Sequence, residues 1–217
     1  MRALLLVDIQ NDFLPGGALG VPDGDQVVPV ANRLQGEFNL VVASQDWHPA
    51  DHGSFAANHP GKRSGEIIEL NGLQQILWPV HCVENTPGAA FAPGLDTRRV
   101  ARIFHKGTDP DIDSYSALFD NGHRKATGLG DYLKTQGVTD LFMAGLATDY
   151  CVKYTSLDAV KLGFRVHVIE EGCRGVNLKP GDVAAAMAEM QKAGVEIIRS
   201  ARGSHRQATT KPPVSHR

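Results

Sequence analysis

"ALLLVD", residues 3–8, is the stretch on which the fold turns. Its apolar residues run without alternation and stop at a carboxylate. A strand with one wet face alternates apolar and polar residues, whereas an unbroken run fits a strand covered on both faces. The run is far too short to cross a membrane, which takes about 20 apolar residues, and no cleavage-type segment follows it. Working outward, "NLVVAS" (39–44), "VARIFH" (100–105), "DLFMAG" (140–145), "FRVHVIE" (164–170) and "VEIIRS" (195–200) share this character. Between them "DQVVPVANRLQGE", "GLGDYLKTQG", "DYCVKYTSLDAVKLG" and "PGDVAAAMAEMQKAG" carry helical spacing, and the last three stop at glycine. Alternating strands and helices predict a three-layer α/β sandwich, with a mostly parallel six-stranded sheet and helices on both faces.

The chain has 217 residues, 42% of them hydrophobic, enough to bury one sizeable core. Its formal net charge of -2 comes with no long basic stripe in the body of the chain, so a nucleic-acid surface is not suggested. Three widely spaced cysteines, Cys82, Cys151 and Cys173, make a poor disulfide framework and fit a reducing cytoplasm. The expected organisation is one domain over 1–200. Within it, residues 45–95, rich in His, Pro and Gly, interrupt the strand–helix rhythm, and a long irregular segment of that kind usually carries or wraps a site. The polar, proline-containing segment 201–217 is expected to be disordered. There is no internal repeat.

Ligands of open parallel sheets bind beyond the carboxyl ends of the strands. Those ends deliver Asp8, then Asp46 and His48, then His105 and Lys106, and finally the turn before Cys151. An isolated cysteine is commonly a buried structural thiol. At a helix start, with Thr148 or Asp149 as cap and Lys106 nearby, it also reads as a nucleophile, whose proton Asp8 could take. The position after the fourth strand favours the nucleophile; Cys82 and Cys173 have no such support and read as structural. In "DWHPADH" (46–52), Asp46 and His48 point the same way if the segment is extended, His52 and His59 follow, and His81 arrives later. A carboxylate with two or three imidazoles suits zinc, manganese or iron, although solvated loop histidines would produce the same spacing. Phe13 and Trp78 fit either an aromatic wall around a flat substrate or the core.

Taken together, "VDIQNDFLPGGALGV", "DWHPADHGSF", "WPVHCVENTPGAAF", "HKGTDPDIDSYSAL" and "GLATDYCVKYTSLDA" resemble the nicotinamidases (pyrazinamidases) of the isochorismatase-like cysteine hydrolase superfamily. The resemblance runs from about residue 3 to 199 in register. It implies the isochorismatase-like hydrolase fold and a triad of Asp8, Lys106 and Cys151. It further implies a single divalent ion, zinc first with manganese or iron as alternatives, on Asp46, His48 and His81; His52 matches a position that binds metal in only some members. An oxyanion hole is implied at the N–H groups of Ala147 and Cys151, after a cis Leu146–Ala147 bond. Phe13 and Trp78 match ring-contacting positions and Tyr115 a pocket-lining one.

The activity so implied is hydrolysis of nicotinamide to nicotinate and ammonia within NAD salvage, with pyrazinamide as a further substrate and the ring nitrogen held at the metal. The implied partner is this small molecule, with no nucleic acid or membrane; assembly into a homo-oligomer stays open. Two alternatives remain: a superfamily amidase acting on a carbamoyl or ureido group, and a non-catalytic metal-binding protein on the same fold.

Overall fold

A computed structural model describes residues 1–200 of the chain. The expectation for 201–217 concerns residues outside that range. Among the described residues, eight strands and four α-helices follow in the order β1 (Arg2–Val7), α1 (Val27–Gln35), β2 (Leu40–Asp46), β3 (Ile67–Leu70), β4 (Leu73–Ile76), β5 (Val100–Lys106), α2 (Leu129–Thr135), β6 (Asp140–Leu146), α3 (Lys153–Lys161), β7 (Arg165–Arg174), α4 (Asp182–Lys192) and β8 (Glu196–Ile198). Six of the strands form one sheet in the order β5-β2-β1-β6-β7-β8, and every pairing in it is parallel.

β1 explains why the sheet must be covered twice. Ala3, Leu5 and Val7 enter one core with Leu129 and Leu133 of α2, Ala159 of α3 and Met190 of α4. Leu4 and Leu6 enter the other with Val27, Ala31 and Leu34 of α1. Successive side chains of a strand point to opposite faces, so an unbroken apolar run needs a helix layer on each side. No helix among the described residues is long and apolar enough to cross a membrane.

Three elements differ from the sequence expectation. β2 continues to Asp46, and β7 continues to Arg174 because, after a register shift, Cys173 and Arg174 pair with Gly145 and Leu146. The 45–95 segment is not structureless. It holds short 3-10 turns and the antiparallel β3–β4 hairpin, closed by Asn71 and Gly72 at φ 50° and 79°. Two successive left-handed residues form the tight turn that matches strand twist, and Asn-Gly suits it best.

Burial on both faces makes β1 intolerant of truncation. Leu5→Ala should cost about 2–5 kcal/mol in urea unfolding. Ile67→Ala, at a side chain 60% exposed, should change stability by less than about 0.5 kcal/mol.

Candidate active site

Parallel register sets the first contact. β2 and β5 pair so that Asp46 lies beside Lys106, each the last residue of its strand. The Lys106 Nζ is 2.8 Å from Asp46 Oδ1 and 2.9 Å from Asp8 Oδ2, just beyond β1. It also donates to the Ser114 carbonyl at 2.9 Å and lies 3.4 Å from Cys151 Sγ. All four reactive side chains are buried. Three sequence-expected residues from distant parts of the chain therefore meet at one ammonium.

Burial and pairing set the proton affinities of this cluster. Burial pushes the Asp8 carboxyl above its ordinary value; Lys106 opposes the shift, and neighbouring Asp46 adds to it. Burial would pull Lys106 down, but the Asp46 and Asp8 carboxylates outweigh it and hold the lysine well above its usual range. Burial likewise pushes the Cys151 thiol well up, against the pull of Lys106. Burial thus favours the thiol form of the resting sulfur, and the nearby cation does not by itself make a thiolate. Asp8, at φ 46° and fixed by the Ser44 hydroxyl donating to Oδ1 at 2.6 Å, holds its other oxygen toward the lysine.

Cys151 rides on a π-helical turn, Thr148–Val152, that leads into α3. The expected cap at Thr148 or Asp149 is not formed: Ala147 occupies the cap position without a side-chain bond. The Asp149 carboxylate instead accepts the N–H groups of Val176 and Asn177, at 2.9 and 2.7 Å, tying the turn to the segment after β7. The Leu146–Ala147 bond is cis.

The second oxygen of Asp46 faces the histidines, with Oδ2 3.1 Å from His48 Nε2 and 3.3 Å from His81 Nε2. Each ring has its Nδ1 against a carbonyl, Gly107 at 2.8 Å for His48 and Pro79 at 2.7 Å for His81. A carbonyl only accepts, so Nδ1 carries the hydrogen and the Nε2 lone pairs face the point that Asp46 faces. Gly107, at φ 66°, is needed there because a Cβ would run into the His48 ring. Burial lowers the proton affinity of His48, yet Asp46 outweighs it and raises the value to about 8. His48 Nε2 is buried without a well-formed hydrogen bond. Two imidazole nitrogens and a carboxylate oxygen around such an atom are a donor set that fits a divalent first-row ion.

His52 is oriented differently. Its Nδ1 lies 2.7 Å from the Ser54 hydroxyl and accepts the Ser54 N–H at 3.1 Å. A backbone N–H only donates, so the neutral ring carries its hydrogen on Nε2; ligation through that atom needs the other tautomer. Burial, then His48, lowers His52 to about 4. His59 leaves the cluster altogether, bonding the Gly53 carbonyl at 2.7 Å.

Phe13, Trp78, Tyr115, Ala147 and Cys151 line one narrow pocket with Asp46 and His81. Trp78 Nε1 donates to the Tyr115 hydroxyl at 3.2 Å, which fixes both rings. A roomier open groove of about 400 Å³ lies beyond Tyr115 and Tyr150 and holds none of the reactive groups. Several site residues lay outside the sequence expectation. Tyr150 and Asp113 also line the pocket. Gln10 clamps Asp46, its Nε2 donating to the Asp46 carbonyl at 2.8 Å and its Oε1 accepting the Asp46 N–H at 2.8 Å. Asp12 accepts the Cys82 N–H at 2.7 Å, next to His81.

Comparison with known proteins gives one consistent result. The isochorismatase domain family matches residues 2–202. The chain is 54% identical over 200 residues to a nicotinamidase of Escherichia coli, covering 90% of this chain and 93% of that protein. Its fold superposes on an Acinetobacter baumanii nicotinamidase pyrazinamidase with a TM-score of 0.88 at 48% identity, covering 91% and 95% of the two chains. A Pyrococcus horikoshii pyrazinamidase, solved in complex with zinc, matches with a TM-score of 0.74 at 38% identity, covering 91% and 98%. A parallel sheet that gathers acid, amine and thiol at its carboxyl edge, and relatives that align along nearly their whole length, lead to one conclusion: the chain belongs to the isochorismatase domain family.

Proposed function

We propose that this protein is a metal-dependent cysteine amidohydrolase that converts nicotinamide to nicotinate and ammonia, and acts also on pyrazinamide, within NAD salvage. The observation that carries the reading is the Lys106 ammonium touching Asp8, Asp46 and Cys151 at 2.9, 2.8 and 3.4 Å, with Asp46 and Cys151 on the wall of an aromatic pocket. We further propose that residues 1–200 form one domain, in which 45–95 supplies most of the metal and ring contacts.

Each role follows from position and chemistry. Phe13 and Trp78 give the pocket two flat apolar surfaces, suited to a pyridine or pyrazine ring. Asp46, His48 and His81 would hold one divalent ion, with zinc the first candidate. When bound, that ion supplies a Lewis-acid anchor for the ring nitrogen, which is a positional contribution. Asp8 takes the thiol proton of Cys151 as the sulfur attacks the amide carbon. Lys106 keeps the carboxylate and the developing sulfur charge balanced. We assign the oxyanion to the N–H groups of Ala147 and Cys151. Asp8 then returns its proton to the departing nitrogen, ammonia leaves, and a thioester remains. Water, deprotonated by Asp8, attacks that thioester, releasing nicotinate and restoring the thiol.

Three outcomes test the scheme. Cys151→Ala should lower ammonia release from nicotinamide by about 10⁴-fold or more while circular dichroism stays unchanged; a normal rate would remove the nucleophile. His48→Ala should lose bound metal, read by elemental analysis, and raise KM. The pH profile follows from one proton shared by two buried acids. Burial raises Asp8 above its ordinary 3.8 and Cys151 well above its ordinary 9.0. kcat/KM should therefore rise with pH at a midpoint above 3.8, as the carboxyl ionises, and fall only above 9.0, as the pair loses its last proton. A falling limb centred below 9.0 would contradict a thiol held protonated by burial.

A further inference from the structure

Asp113 is a buried carboxylate that neither the triad nor the expected ligand set uses. It is 3% exposed and lines the pocket beside Asp46, His81 and Cys151. Its compensation is thin: the Ser114 N–H donates to Oδ1 at 2.7 Å and the Gln75 amide to Oδ2 at 3.2 Å. Among the described residues no lysine, arginine or histidine makes an ion pair with it, unlike Asp8 and Asp46. An ionised carboxylate removed from water usually costs several kcal/mol unless charge or further hydrogen bonds answer it. Two observations say where the answer comes from. Oxygen of Asp113 and one nitrogen each of His48 and His52 lie within 4.8 Å of one another, a second donor set that shares His48 with the first. His48 Nε2, fully buried, makes no well-formed hydrogen bond beside its 3.1 Å approach to Asp46 Oδ2.

Charge balance carries the argument further. With the imidazoles neutral and the carboxyls ionised, Asp8, Asp46 and Asp113 of this cluster set three negative charges against the Lys106 ammonium. The deficit is two positive charges, which is what one divalent ion brings. Without Asp113 the loaded site would be left with an excess positive charge. His48 has only Nε2 to offer, because Nδ1 is engaged by Gly107, so the two donor sets cannot each hold an ion at once.

We propose that Asp113 is a metal-retaining residue: beside the Asp46, His48 and His81 donor set it would supply the anionic charge that makes a divalent cation the neutralising occupant of the site. The proposal rests on the metal-centre part of the function above, and its test reads metal binding, not amidase turnover. Zinc affinity of the purified full chain is measured by competition with a chromophoric chelator, alongside melting temperatures with and without zinc, for the wild type, Asp113→Asn and Asp113→Glu. Asp113→Asn should bind one zinc about 10–100-fold more weakly. Its gain in melting temperature on adding zinc should shrink. Asp113→Glu should recover part of the affinity. Zinc affinity within twofold of wild type in Asp113→Asn, a metal-free form that melts lower with an unchanged zinc increment, or two zinc ions per wild-type chain would each overturn the proposal. A wild-type chain that binds no zinc would instead remove the metal centre itself, and the proposal with it.

Discussion

An ammonium with no access to water is the constraint on which this molecule is arranged. Lys106 is 2% exposed, and its carboxylate partners come from the ends of two other strands. Removing a single partner would strand a charge in the interior, a change that commonly costs 3–5 kcal/mol. The three strands must therefore end level with one another, and the parallel register of β1, β2 and β5 is what makes them do so. Stability and chemistry lean on the same contact. The lysine that neutralises Asp46 also sits against the sulfur, so the carboxylate–histidine half of the pocket and the thiol half share one charge.

Much of this was legible in the sequence, for identifiable reasons. "ALLLVD" announces a doubly covered strand because side-chain alternation leaves an unbroken apolar run no wet face. The strand ends then indicate which polar residues share an edge, and Asp8, Asp46, Lys106 and Cys151 do converge. What was not legible depends on contacts between segments that spacing does not report. Asp149 looks like a helix cap but binds the chain after β7, and the turn it sits on is wider than an α-helical one. His59 and His52 look alike in the loop, yet one bonds the Gly53 carbonyl and the other is held by a serine. Asp113 stood within a quoted motif, "DPDIDSYSAL", but nothing local distinguishes a carboxylate aimed into a pocket from a loop aspartate. The Asn71-Gly72 hairpin, in contrast, was open to reading from its dipeptide alone.

The pocket and the groove divide the carboxyl edge of the sheet into two environments. Tyr115 and Tyr150 line both and form the partition, with Trp78 behind them in edge-to-face contacts whose ring centres are 5.0 to 6.4 Å apart. On the inner side Asp46, His81, Asp113 and Cys151 are buried and charge interactions are strong; on the outer side Lys153 pairs with a half-exposed Glu189. An amide bond brought to the inner side loses its water and meets fixed dipoles in return.

Gln10 joins two layers of the site through one amide. Its nitrogen donates to the carbonyls of Asp46 and Ala89, at 2.8 and 2.9 Å, while its oxygen takes the Asp46 N–H. Both amide hydrogens are thus spoken for in a dry interior, and the orientation of the group is fixed. Hydrolysis of that side chain to the acid would set an oxygen against two carbonyl oxygens, prising the end of β2 away from the turn it is laced to and leaving every other atom of the site intact.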